Sequence, residues 1–182
     1  MDLPTFKYHP NPLGTGSVVE CNDRCECCRK IRGYIYTGAI YISDYWEDKN
    51  ICPWCIANGK AAKKFHAEFT YTFALQKAGI DPAIILEIAT KTPGYQSFQA
   101  EVWLSHCNDA CAFLGIASKE DVLYIAAPAD ATHTPVELVG GEDIDDERML
   151  EIAQKYTVDG GVGIYKFGCL HCNEIMYTIE FD

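Results

Sequence analysis

Eight of the ten cysteines in this chain fall into four short-spaced pairs: Cys25 with Cys28, Cys52 with Cys55, Cys107 with Cys111, and Cys169 with Cys172. A short spacing lets two thiolates converge on one ion, and a tetrahedral zinc needs two such pairs. Grouping by chain order puts Cys25, Cys28, Cys52 and Cys55 in one site, with 23 residues between its halves. It puts Cys107, Cys111, Cys169 and Cys172 in a second, with 57 residues between its halves. Two zinc ions are therefore the expected cofactors. Cys21 and Cys27 are left over as free thiols, since Cys27 adjoins Cys28 and neighbours rarely share one tetrahedron. His106 and His171 flank the second set. Imidazole also binds zinc, so either could replace a thiolate; the simpler reading keeps both beside the ligands.

Other chemistries fit the pattern less well. Cys52-Pro53-Trp54-Cys55 has the spacing of a thioredoxin-like redox pair, but no βαβ pattern surrounds it. His66-Ala67-Glu68 has the His-x-Glu of zinc deaminases, which carry Pro-Cys-x-x-Cys downstream. Here the cysteines lie upstream, and four thiolates leave no open metal position. His66 and Glu68 are read as exposed residues of a helix. No phosphate-binding glycine loop, dinucleotide fingerprint or serine elbow is present, so no catalytic residue is assigned.

The elements that must position the cysteines follow from patterning. Tyr34–Tyr36 and Ile40–Ile42 flank Thr37-Gly38 and predict a hairpin. After Cys55, Ala61, Ala62, Phe65 and Phe69 recur at helical steps. Cys107 and Cys111 are spaced one helical turn apart. Residues 161–167 and 173–181 read as strands on either side of Cys169 and Cys172. Asp81-Pro82 predicts a helix start, with Ile84, Ile85 and Ile88 inward, ending before Pro93-Gly94. Phe98–Ser105 fits helix or strand equally, and Val122–Ala126 reads as a buried strand. Residues 140–147 are acidic and precede a helical pattern, where negative charge favours the positive end of the helix dipole; an acidic surface for a basic partner is the alternative. The expected fold class is α+β. Two zinc-ribbon or treble-clef-like modules, of knuckle, hairpin and helix, are joined by a helical middle segment; they span 1–80 and 81–182, the second with an inserted α/β segment, and one compact unit of both is the alternative.

Charge and composition narrow the partners. Against 15 Lys and Arg stand 26 Asp and Glu, a net charge of −11. Thiolate-bound zinc makes the chain still more acidic. Arg29, Lys30, Arg32, Lys60, Lys63 and Lys64 form at most a local basic patch, so nucleic acid is disfavoured but stays open as a partner. A basic protein is favoured. The chain shows neither a secretion signal nor a stretch of ~18 apolar residues, so the expectation is a cytoplasmic protein with no membrane span. Structural disulfides are improbable in that compartment.

The blocks PTFKYHPNPLGTGS, ICPWCIANGKAAKKFHAEF, TPGYQSF and WLSHCNDACAFLG resemble the CbrC family. That resemblance implies a small bacterial protein with zinc sites and a link to tolerance of a nuclease-type colicin, without an assigned catalytic activity. Three functions follow. The first is a non-enzymatic, zinc-stabilised acidic protein that binds another protein, such as a basic toxin domain, in tolerance or immunity. The second is an enzyme with one open metal position near His106, Asp109 or His171. The third is a nucleic-acid-binding zinc ribbon.

Overall fold

The computed structural model describes residues 2–42, 45–46, 49–127, 138–140 and 144–182. The chain is mixed α+β, built from short helices and small sheets around three apolar clusters. Part of the acidic stretch, residues 141–143, lies outside the described residues.

The first cluster surrounds Cys25, Cys52 and Cys55 with Phe6, Tyr36, Ile51, Ile56 and Phe69. The strands around Thr37-Gly38 form, but not as one hairpin. Tyr34–Tyr36 pairs with Val18–Glu20, whereas Tyr41–Ile42 pairs with Tyr45–Trp46 and Ala67–Glu68. The Tyr36 phenol donates to the Ala39 and Phe69 carbonyls, so the connecting turn is tied to the core instead of closing a ladder. The helix expected after Cys55 is also broken. Pro53–Ala57 ends at Asn58, Gly59 adopts a left-handed φ of 69°, and Lys60–Phe65 restarts the helix. His66, at φ 52°, ends it. His66 and Glu68 are exposed as expected, but Glu68 lies in a strand.

The second cluster is an aromatic core of Tyr8, Tyr95, Trp103, Phe113, Tyr165 and Phe167. Tyr95 stacks on Phe113 with ring centroids 4.3 Å apart. The Pro82–Lys91 helix begins as expected, with the Asp81 carboxylate accepting from the Ala83 N–H, and buries Ile88 against this core. Gly94 follows it where a side chain would not fit, because an added Cβ would lie 2.1 Å from the Phe69 carbonyl oxygen.

The third cluster lies between a four-stranded sheet and two helices. The sheet order is Ala112–Ile116, Val162–Gly168, Ile175–Phe181, Leu138–Val139, antiparallel except for the last pair. Residues Lys119–Ile125 form a helix, which corrects the strand expected at Val122–Ala126. A short apolar run does not distinguish the two, and the capping box decides. Ser118 and Asp121 exchange side-chain and backbone hydrogen bonds of 2.9 and 3.1 Å. The Asp121 carboxylate also accepts from Lys166 at 2.6 Å and Tyr177 at 3.0 Å, joining the helix start to both central strands. Burial raises its pKa, but these donors outweigh that and leave it below the usual value. Asp121→Asn should therefore cost about 1.5–3 kcal/mol in urea unfolding at neutral pH. A lowered folded pKa contributes stability above the unfolded value and loses it on acidification, so the gap to wild type should close only below about pH 5.

Candidate metal centres

The Sγ atoms of Cys25, Cys28, Cys52 and Cys55 all lie within 4.8 Å of one another. Two of the edges, Cys25–Cys55 and Cys28–Cys52, measure 3.9 Å. A zinc–sulfur bond of 2.3 Å gives a tetrahedron with edges of about 3.8 Å, so the spacing fits one ion. The backbone holds these atoms in place locally. Cys25 N–H donates to the Lys30 carbonyl and Arg29 N–H returns to the Cys25 carbonyl, with Arg29 in a left-handed conformation. Cys52 is the N-cap of the Pro53–Ala57 helix, where Pro53 sets the first turn, and its own N–H points at Cys25 Sγ at 3.3 Å. Without a cation the four sulfurs cannot all ionise. Cys25 is held down by its hydrogen bond from Cys52, while Cys52 is pushed up by the same contact and Cys55 by burial. A divalent ion is what lets four adjacent thiolates coexist.

The second group contains His106, Cys107, Cys169 and Cys172, again within 4.8 Å. His106 Nδ1 is 3.2 Å from Cys107 Sγ and 3.5 Å from Cys172 Sγ, and the two sulfurs are 4.0 Å apart. A sulfur–nitrogen edge of a zinc tetrahedron is about 3.6 Å. The donor set therefore fits a tetrahedral ion. Cys169 and Cys172 lie in the connection between the Val162–Gly168 and Ile175–Phe181 strands. Cys169 N–H donates to the Glu174 carbonyl, five residues on, the same closure that Cys25 makes with Lys30. His171 N–H points at Cys169 Sγ at 3.4 Å. Desolvation raises the Cys169 thiol, but that N–H and His106 outweigh it and bring it down to about 6.

Cys111 is the correction here: it takes no part in the second group, and His106 stands in its place. Residues 105–110 form a two-residue hairpin, Ser105–His106 against Asp109–Ala110, not a helical turn. Cys107 and Asn108 both have positive φ, 52° and 58°, the conformation of a tight hairpin turn. The turn sends Cys107 to the exposed end with His106 beside it. Cys111 lies between the hairpin and the Ala112–Ile116 strand and is fully buried, with its Sγ 4.0 Å from Met176 Sδ. Burial pushes its thiol up to about 12. The only advance signal was Asn108-Asp109 followed by the alternation of a strand.

His171 stays outside the group because its ring is committed elsewhere. His171 Nε2 lies 2.8 Å from Asp109 Oδ2, and the same carboxylate binds Lys7 at 3.0 Å and the Tyr8 phenol at 2.8 Å. Burial opposes its ionisation, yet the His171, Tyr8 and Lys7 contacts hold Asp109 at about 2. This network anchors the hairpin that carries His106 and Cys107. Cys21 and Cys27 belong to neither group.

The model of the uncharacterised protein family UPF0167 matches residues 3–181. A UPF0167 protein of Pseudomonas aeruginosa is 40% identical over 98% of this chain and 97% of its own length. UPF0167 proteins of Mycobacterium bovis and Mycobacterium tuberculosis are each 36% identical over 98% of this chain and 94% of theirs. These matches overturn the CbrC assignment that the sequence blocks carried. No solved structure matches the chain.

Proposed function

We propose that this chain, which belongs to the uncharacterised protein family UPF0167, is a non-enzymatic, zinc-stabilised acidic protein whose task is to bind a basic protein. One observation carries the reading: each metal group supplies four ligand atoms, all within 4.8 Å of one another. Four protein ligands close a zinc site, whereas a catalytic zinc keeps a position for water. Zinc is the metal of choice because thiolate-rich tetrahedral sets favour it. The first centre, with one pair in a knuckle and the other starting a helix, reads as a treble clef; the second, between two strands, reads as a ribbon-like knuckle. With His106 replacing one thiolate, the loaded chain would carry about −14 in place of its bare −11.

The nucleic-acid alternative loses ground to local contacts. Lys64 donates to the Glu26 and Cys27 carbonyls, and Arg32 lies over the Trp54 ring. These cations brace the first knuckle. No helix among the described residues is long and apolar enough to cross a membrane. Ten free cysteines, seven of them gathered in the two metal groups, suit a reducing compartment, and we propose a cytoplasmic protein.

The colicin-type toxin came only with the CbrC resemblance, so the partner is defined here by its charge. A basic nuclease-type toxin domain remains a suitable first probe. Metal analysis of the purified protein should find two zinc ions per chain. Titration with the probe domain should show association that weakens steeply with salt. No binding at low salt, together with no protection when the protein is expressed against the toxin, would remove the toxin. The same result with a panel of basic proteins would remove the partner class.

A further inference from the structure

A cavity of about 510 Å³ opens where three parts of the fold meet. Thr37 and Tyr41 come from the N-terminal part, Gln96–Gln99 and Glu101 from the middle segment, and Gly163 and Tyr165 from the large sheet. That volume suits a small-molecule ligand, and junctions between units are where such sites form. Tyr41, Tyr95, Tyr165 and Phe98 give it aromatic walls, and Phe98 is 47% exposed.

Glu101 lies in the wall and is 2% exposed. Its Oε2 accepts from the Tyr41 phenol and, at 3.4 Å, from the Tyr71 N–H. Its Oε1 is buried and has no hydrogen-bond partner among the described residues. A buried carboxylate oxygen without a donor is costly, and native proteins seldom carry one without a reason. Among the described residues no Lys or Arg lines the cavity, and the other charged side chain in its lining is Asp159. Glu180, close behind, is occupied by the Phe98 and Gln99 N–H groups. Burial raises the Glu101 pKa, so the site lacks the positive charge that would hold the carboxylate ionised.

We propose that this cavity binds a small organic cation, a primary ammonium or guanidinium on a short apolar body, with the charge on Glu101 and the body against the aromatic walls. The ligand brings a donor to the Glu101 carboxylate, whose Oε1 is sealed from solvent in this structure and is uncovered on binding, and aromatic faces favour a cation above them. A metal ion fits less well, because hard cations need six or more oxygen ligands and the cavity offers one buried carboxylate.

Isothermal titration of the metal-loaded protein with tyramine and agmatine tests this, against uncharged tyrosol and anionic 4-hydroxyphenylacetate. At least one amine should bind about tenfold or more tighter than both controls. Glu101→Gln should remove that preference while keeping metal content and melting temperature. Phe98→Ala, a half-exposed position, should weaken the amine and leave the fold intact. Equal binding of amine and alcohol would mean that Glu101 holds only water and Tyr41, and would overturn the proposal; so would an amine affinity unchanged in Glu101→Gln. If Glu101→Gln fails to fold, amide shifts caused by the amine in the wild-type protein decide. They must centre on residues 96–101 and 163–165, and a centre elsewhere overturns the site.

Discussion

Cys52→Ser should strip the first metal ion and unfold the N-terminal part of the chain. Cys52 is fully buried, its Sγ forms one edge of the first cluster, and its backbone starts the Pro53–Ala57 helix. Phe6, Tyr36, Ile51, Ile56 and Phe69 pack around the sulfurs, so an ion held by them would be part of the core. The strands flanking it are two or three residues long and cannot hold a sheet unaided. A structural zinc contributes about 10–16 kcal/mol at neutral pH, as much as a whole domain's net stability of about 5–15 kcal/mol. A serine hydroxyl is a poor ligand, and the remaining thiolates, Cys25 and Cys55 buried and Cys28 half-buried, would be left with no counter-charge. Metal content should fall from two ions per chain to one. The near-ultraviolet signal of Trp54 and the tyrosines around it should collapse. Retention of both ions and of the wild-type melting temperature would remove Cys52 from the ligand set.

The two Cys-x-x-Cys knuckles were legible because each is local: the spacing itself brings the sulfurs together, and Cys25 and Cys169 then use the same five-residue backbone closure. The Asp81-Pro82 helix start was legible for the same reason. What failed depended on backbone conformation or distant packing. Two positive φ values at Cys107 and Asn108 turned an expected helical turn into a hairpin and exchanged Cys111 for His106. Gly59 and His66 broke one expected helix into three short elements, Pro53–Ala57, Lys60–Phe65 and the strand Ala67–Glu68. The Val122 helix was in principle readable, since Ser118-x-x-Asp121 is a capping box. The cavity around Glu101 was not, because its walls come from three segments far apart in sequence and its signal is an oxygen without a partner.

The exchange at the second centre makes a prediction with opposite outcomes for two neighbours. His106→Ala removes a ligand and should weaken the second ion more than about a hundredfold, since even the outer partners of a metal ligand cost 10–100-fold. Cys111→Ala should leave that ion in place and cost about 1 kcal/mol of packing, because a buried thiol behaves as a small hydrophobic group. Exposure separates this centre from the first as well. Cys107 and Cys172 are exposed, whereas Cys25, Cys52 and Cys55 are buried. A chelator should therefore remove the second ion first, leaving the first core folded. Chelator titration of wild type, His106→Ala and Cys111→Ala, with metal counted at each step, reads all of this at once. If Cys111→Ala loses the second ion and His106→Ala keeps it, the ligand set is four cysteines and the hairpin must rearrange around the metal. If the two behave as the geometry dictates, the second centre carries three thiolates and one imidazole. Its ion is then the one that environment can remove without unfolding the chain.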